Sequence, residues 1–71
     1  MLAEALEVKA RHEEQLLNLP GVVGVGVGVK EDQVVIKVFL EQMTENLRQA
    51  LPNTLEGFRV VPEVTGKFIA Y

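Results

Sequence analysis

Apolar residues recur every three to four positions through residues 2–19, which is the period of an amphipathic helix. Pro20 and Gly21 end this helix, because proline cannot continue its hydrogen bonds and glycine accepts left-handed dihedral angles. We expect the helix to bury its apolar side. That side consists of two adjacent rows, Leu2, Leu6, Ala10 and Leu17 in one, and Ala5, Val8, Leu16 and Leu19 in the other.

Valine and glycine then alternate through residues 22–29, and a second run rich in β-branched residues covers residues 34–40. Glu31 and Asp32 between them predict a two-residue hairpin loop. In this register one face of the sheet is wholly aliphatic and carries Val23, Val25, Val27 and Val29 opposite Leu40, Val38, Ile36 and Val34. The other face pairs Gly24 with Phe39, Gly26 with Lys37 and Gly28 with Val35. A slip of one residue would bury Lys37, so the register has a physical reason to hold.

A short second helix and a third strand follow. Thr44 is suited to cap the helix, Leu47 lies on its apolar side, and Pro52 ends it. Residues 58–64 alternate again and predict the strand. Pro62 places that strand at a sheet edge, because proline cannot donate to a ladder of hydrogen bonds.

The order helix-strand-strand-helix-strand predicts a single α+β domain over residues 1–71, a two-layer sandwich with both helices on the aliphatic face. If the third strand joins the same sheet, a right-handed crossover connects it to the second strand. The third strand can lie beside the second strand or beside the first. The tail, residues 66–71, can pair within the chain or with a neighbour.

Charge and composition exclude several classes of function. Seven basic and ten acidic residues give a formal charge of −3, and the basic ones are scattered, whereas nucleic-acid binding needs a clustered cationic surface. The chain has no cysteine, hence no disulfide or thiolate metal site, and we expect a cytoplasmic protein. Acidic residues from Glu4 onward argue against a signal peptide. The apolar run 22–29 is far shorter than the ~20 residues of a membrane span.

The sequence contains no recognisable catalytic pattern. The strand glycines are spaced by two, unlike those of phosphate loops and dinucleotide-binding turns. His12 is the only histidine, and the chain has neither serine nor cysteine for it to activate. The carboxylates fall where solvent-exposed residues are expected. We therefore predict a non-enzymatic protein with no cofactor and no metal site.

The glycine-bearing face of the sheet has two interpretations. In the first, Phe39 lies across Gly24 and the stem of Lys37 lies across Gly26, each covering its neighbour's backbone. In the second, the glycines floor a shallow apolar trough that receives a partner or a second copy, since no element is left to cover this face. The candidate partner-binding residues are Gly24, Gly26, Gly28, Val35, Lys37 and Phe39.

Two stretches carry a resemblance to a known family. LPGVVGVGVG at residues 19–28 and LPNTLEGFRV at residues 51–60 resemble the hallmark runs of a small bacterial α/β domain, found free-standing or ahead of trypsin-like protease domains. The resemblance covers nearly the whole chain and implies no role for any single residue. The second context implies, as an alternative function, a regulatory or folding-assistant segment that acts on a protease.

The LPGV turn at residues 19–22, followed by a hairpin, a helix and a strand, is also similar to that of ferredoxin-like heavy-metal-associated domains. The metal-binding cysteine pair of that family has no counterpart here, so the similarity implies a ferredoxin-like topology lacking its first strand and does not imply metal transport. A missing strand leaves an unpaired sheet edge, which residues 67–71 or a second copy could fill. We therefore predict a homo-oligomeric module that binds protein through the open face or a free edge, with small-ligand binding as a further alternative.

Overall fold

The computed structural model describes residues 2–65, which fold into two helices and four strands. In chain order these are α1 (Leu2–Leu17), β1 (Val22–Lys30), β2 (Gln33–Leu40), α2 (Glu45–Ala50), β3 (Thr54–Leu55) and β4 (Phe58–Val64). The strands form one mixed sheet in the order β1-β2-β4-β3. The α+β class is confirmed, with β3 as an unexpected short strand. The predicted contacts of the tail lie outside the described residues.

The hairpin of β1 and β2 has the predicted register from its turn to Gly24. Lys30 lies opposite Gln33, and Gly24 lies opposite Phe39. The turn residues Glu31 and Asp32 have φ angles of 52° and 63°. Positive φ at both central residues is the signature of a type I′ turn, whose twist matches that of the flanking strands.

The register shifts at the start of β1, where the prediction for Val23 is wrong. Val22, not Val23, lies opposite Leu40, so Val23 is an extra residue in a β-bulge. Val22 packs against the core, while Val23 is 39% exposed. A bulge adds one residue to a single strand, and this shift puts the side chain of Val22 on the helix face in place of Val23.

Strand β4 lies beside β2 and runs parallel to it, with Ile36 opposite Val60. The short strand β3 pairs with the start of β4 on its other side, so the prediction that this strand is an edge strand is wrong at its first two residues. The backbone N–H of Val60 donates to the carbonyl of Asn53 at 2.9 Å, on the side of β4 away from β2. Backbone groups alternate in direction along a strand, so the nitrogen of Pro62 points to the same outer side. The proline therefore removes no hydrogen bond between β4 and β2, and β3 does not reach this part of β4.

Both helices contribute to one core on the aliphatic face of the sheet. Its buried residues are Leu16, Val38, Leu40, Leu47 and Val60. Helix α2 is short but well capped, because the N–H of Leu47 donates to Oγ1 of Thr44 at 3.1 Å, as predicted. The core thus joins α1, α2, β2 and β4.

Helix α1 buries one of its two apolar rows and exposes the other, whereas both rows were expected to be buried. Ala5, Val8 and Leu16 are buried, whereas Leu2, Leu6 and Leu17 are 57%, 49% and 44% exposed. Helix α1 packs on β1 and β2 at the end of the sheet, where no further strand among residues 2–65 lies beneath its outer flank. The small Ala5 side chain faces the sheet, and the leucine row stays outside.

Candidate protein-interaction surface

The glycines of β1 face away from the helices, as the register predicts, and side chains of β2 cover them. A Cβ atom added at Gly24 or Gly26 would stand 3.5 or 3.2 Å from the ring of Phe39. One added at Gly28 would stand 2.7 Å from Cε of Lys37. Lys37 therefore covers Gly28, not Gly26 as expected, and Phe39 covers two glycines.

The other residues of this face leave little open surface. Nζ of Lys37 lies 3.7 Å from a carboxylate oxygen of Glu63. Val35, which was expected to be uncovered, is only 1% exposed. These contacts favour the interpretation in which the glycines make room for Phe39 and Lys37. A partner-binding role of this face stays a prediction.

A second surface is the outer edge of β1, which pairs only with β2 among residues 2–65. In a two-residue hairpin the residues that flank the turn form a hydrogen-bonded pair, and such pairs alternate with non-bonded ones. Lys30, Gly28, Gly26 and Gly24 therefore bond to β2. The backbone N–H and C=O groups of Val25, Val27 and Val29 point outward along the edge.

This edge is apolar. No charged side chain occurs between Val22 and Val29, and the side chain of Val29 is 66% exposed. Soluble proteins usually block such an edge with charges, proline, bulges or a covering element. Here a bulge at Val23 lies at one end of the edge, and Lys30 lies at the other end. Residues 24–29 between them contain no charge, proline or bulge.

The exposed leucines of α1 lie on the same side of the molecule as this edge. The opposite flank of α1 carries Arg11, which reaches Glu56 in the turn between β3 and β4, at the far end of the sheet. With 3.6 residues per turn, the sheet-facing residues separate Arg11 from the row of Leu2, Leu6 and Leu17. The leucine row therefore faces outward above β1. We call this row and the outer edge of β1 together the β1 side.

Glu56 is the centre of the best-defined polar cluster. Its carboxylate accepts hydrogen bonds from Nη2 and Nε of Arg11 at 2.7 and 3.0 Å, and Nε2 of His12 lies 2.9 Å from it. These bonds, that of Arg11 first, lower the pKa of Glu56 from 4.5 to about 2, and the carboxylate in turn raises the pKa of Arg11. The cluster is open to solvent, and it ties the β3–β4 turn to α1.

A cleft of about 450 Å³ lies between the turn that precedes β1 and helix α2. Leu19 and Leu47 contribute apolar surface, and Glu41 is the charged residue of its lining. A lone carboxylate provides neither a nucleophile-base pair nor an acid-base pair. The lining of the cleft therefore presents no such pair of catalytic groups.

The described chain offers no metal site or membrane-spanning helix. Among residues 2–65, no three side chains of histidine, cysteine, aspartate or glutamate come together in a way that could hold a metal ion. Within the same range, no helix combines the length and the apolar character needed to cross a membrane.

No family model, curated protein or solved structure matches this chain. Both resemblances stated from the sequence therefore stay predictions.

Three features of these surfaces were not predicted from the sequence. The Arg11–Glu56 contact joins residues far apart in the chain, and no local pattern indicates it. The Glu56-Gly57 dipeptide between Leu55 and Phe58 could have indicated the second hairpin turn, since both residues have positive φ. The helical period shows that two apolar rows exist, but it does not show which of them faces the sheet. It therefore could not predict that the leucine row is exposed.

Proposed function

We propose that this protein is a non-enzymatic protein-interaction module that accepts an added β-strand along β1. The observation that carries the proposal is the row of outward-pointing backbone groups of Val25, Val27 and Val29 on an uncharged edge. In strand addition, main-chain hydrogen bonds provide affinity, and alternate side chains provide selectivity. The β1 edge has the length and the composition for this mode of binding.

The leucine row of α1 supports the same proposal. An isolated exposed leucine is ordinary on a protein surface, but contiguous apolar area is typical of interaction sites. Leu2, Leu6 and Leu17 lie above an edge that exposes Val23 and Val29. A partner that adds a strand to β1 therefore also meets apolar surface from the helix layer.

We also infer that the architecture is ferredoxin-like and lacks the first strand of that fold. The shared order of helix, hairpin, helix and strand supports this inference, as does the position of both helices on one face. The strand order departs from that fold in one respect: its first strand separates the two strands that the second helix connects, whereas here β4 pairs directly with β2. The unpaired edge is therefore the outer side of β1 and not a side of β2.

Amide hydrogen exchange tests whether the β1 edge binds strands. The amides of Val25, Val27 and Val29 should exchange rapidly when the edge is free and become protected on addition of a short peptide of alternating valine and threonine, or on self-association. The amides of Gly26 and Gly28 should be protected throughout, because they bond to β2.

Matched variants make the test specific. Val29→Lys places a charge on the edge at an exposed position and should abolish the protection of Val25 and Val27 by the peptide. Val64→Lys makes the same change at an exposed valine of β4 and should leave the protection intact. Edge amides that exchange rapidly at every protein and peptide concentration would refute the proposed function.

A further inference from the structure

We propose that the strand added to β1 is β1 of a second copy, in antiparallel orientation, with the two-fold axis passing through Val27. This inference rests on the proposed function and names the partner. The β1 side is self-complementary in its hydrogen bonds, in its side chains and in its two layers.

The hydrogen-bonding groups define the register. The outward-pointing residues are Val25, Val27 and Val29, spaced by two along an unbulged stretch. With Val27 opposite Val27 of the second copy, Val25 lies opposite Val29 in both halves. Every outward backbone group of this stretch then has a partner. A shift by two residues in either direction leaves one of the three valines in each copy unpaired.

Side chains and charges fit the same register. The valines of both copies lie on the helix face of the continuous sheet, and Gly26 lies opposite Gly28 of the second copy on the other face. Lys30 lies opposite Gly24 of the second copy, so no like charges oppose each other. On the flank of α1, Lys9 and Glu13 already pair with each other at 3.0 Å, which leaves no uncompensated charge there.

The two layers explain why a second copy fits better than an isolated strand. A peptide strand covers the β1 edge but leaves the leucine row above it in water. A second copy brings its own helix in the same layer above its own β1. The two-fold axis runs the two α1 helices in opposite directions, so Leu17 of each copy approaches the Leu2–Leu6 end of the other. Such an isologous contact closes a dimer with a continuous sheet.

Sedimentation equilibrium measures the assembly. The wild-type chain should sediment at twice its mass of 7.9 kDa. Val29→Lys should raise the dissociation constant at least about tenfold, whereas Val64→Lys should leave it unchanged. Circular dichroism on each variant confirms that the fold is retained.

Cysteine cross-linking tests the register, and the natural chain has no thiol that could interfere. Directly opposed strand residues have Cα atoms about 5.5 Å apart, within the range that a disulfide spans. Val27→Cys should therefore form a covalent dimer on mild oxidation. Val25→Cys and Val29→Cys should each form no covalent dimer on their own but should cross-link when mixed. Val64→Cys is the control that should not cross-link.

The outcomes separate this inference from the proposed function. A monomeric wild-type chain whose edge amides are nevertheless protected by the valine-threonine peptide would overturn the second copy as partner and retain strand addition. Dimers that cross-link at Val64 and not at Val27 would overturn the β1 interface. If truncation after Thr65 converts a monomer into a dimer, the tail of the same chain is the occupant, and the inference fails.

Discussion

Glu56 combines a backbone role and a side-chain role at one position. Its φ angle of 49° closes the β3–β4 turn, a conformation that few residues other than glycine, asparagine and aspartate adopt readily. Its carboxylate holds that turn against Arg11 and His12 of α1. A single residue thus connects the far end of the sheet to the helix layer.

Acid should reveal the contribution of Glu56. In the folded chain its pKa is about 2, against 4.5 for the free group, so the charged form stabilises the fold above about pH 4.5. This contribution is lost as the pH falls toward about 2. Glu56→Gln removes it, so the free energy of unfolding of the variant should fall less steeply across this pH range. Urea denaturation at a series of pH values measures the difference.

Arg11 provides the matching variant, because its guanidinium is the main cause of the lowered pKa of Glu56. Arg11→Ala should flatten the acid profile in the same range as Glu56→Gln. If wild type and both variants lose stability in parallel between about pH 4.5 and about pH 2, the contact does not stabilise the folded chain.

Strands β1 and β2 pack closely on the glycine face, because side chains of β2 fill the space left by the glycines of β1. Alternate glycines give β1 a bare face, and Phe39 and Lys37 of β2 lie across it. Aromatic side chains that cover cross-strand glycines are a known way of stabilising a glycine-rich strand. The hairpin can therefore keep its glycines without a partner on that face. Among residues 2–65, the outer edge of β1 stays unpaired.

Phe39→Ala should show whether the glycine face or the β1 edge is the interface. The substitution uncovers Gly24 and Gly26 and should lower the free energy of unfolding by about 2 kcal/mol, below the full cost for a buried phenylalanine because Phe39 is partly exposed. The dimer dissociation constant should not change. Lys37→Met keeps an apolar stem over Gly28 and loses a partly exposed ion pair, so it should cost under about 0.5 kcal/mol. If the Phe39→Ala chain is monomeric, the interface between copies lies on the glycine face and not on the β1 edge.

The hairpin was predictable because its constraints are local and periodic. The Glu31-Asp32 turn, the pairing and the direction of the glycines follow from alternation, since a slip would bury Lys37. The bulge at Val23 was not predictable, because several neighbouring residues could have been the inserted one. The position of β4 depends on the crossover through α2, which alternation within a strand does not describe.

The chain as a whole is too short to bury all of its apolar residues. A domain of this size buries only ~60% of the surface that its unfolded chain exposes, so apolar area buried in the proposed dimer would add to a modest stability. The exposure of Leu2, Leu6 and Leu17 agrees with this, since they have no cover within residues 2–65. Their helical period was visible in the sequence, but which of the two apolar rows faces the sheet depends on tertiary packing that the period does not describe.

Thermal stability should therefore depend on protein concentration. Because only folded chains dimerise, a tenfold increase in concentration should raise the melting temperature by roughly 3–6 °C. Val64→Lys should show the same dependence, whereas Val29→Lys should melt at a lower temperature and depend less on concentration. Differential scanning calorimetry over a range of concentrations measures this, and a constant wild-type melting temperature would contradict self-association.

Pro62 bears on how far such an assembly can grow. Its nitrogen points outward from β4 and has no hydrogen to offer, and β3 beside it is only two residues long. The far end of the sheet is therefore a poor template for another strand. A chain with two receptive ends would polymerise into filaments. Residues 2–65 offer a single receptive end, so the proposed assembly should stop at two copies.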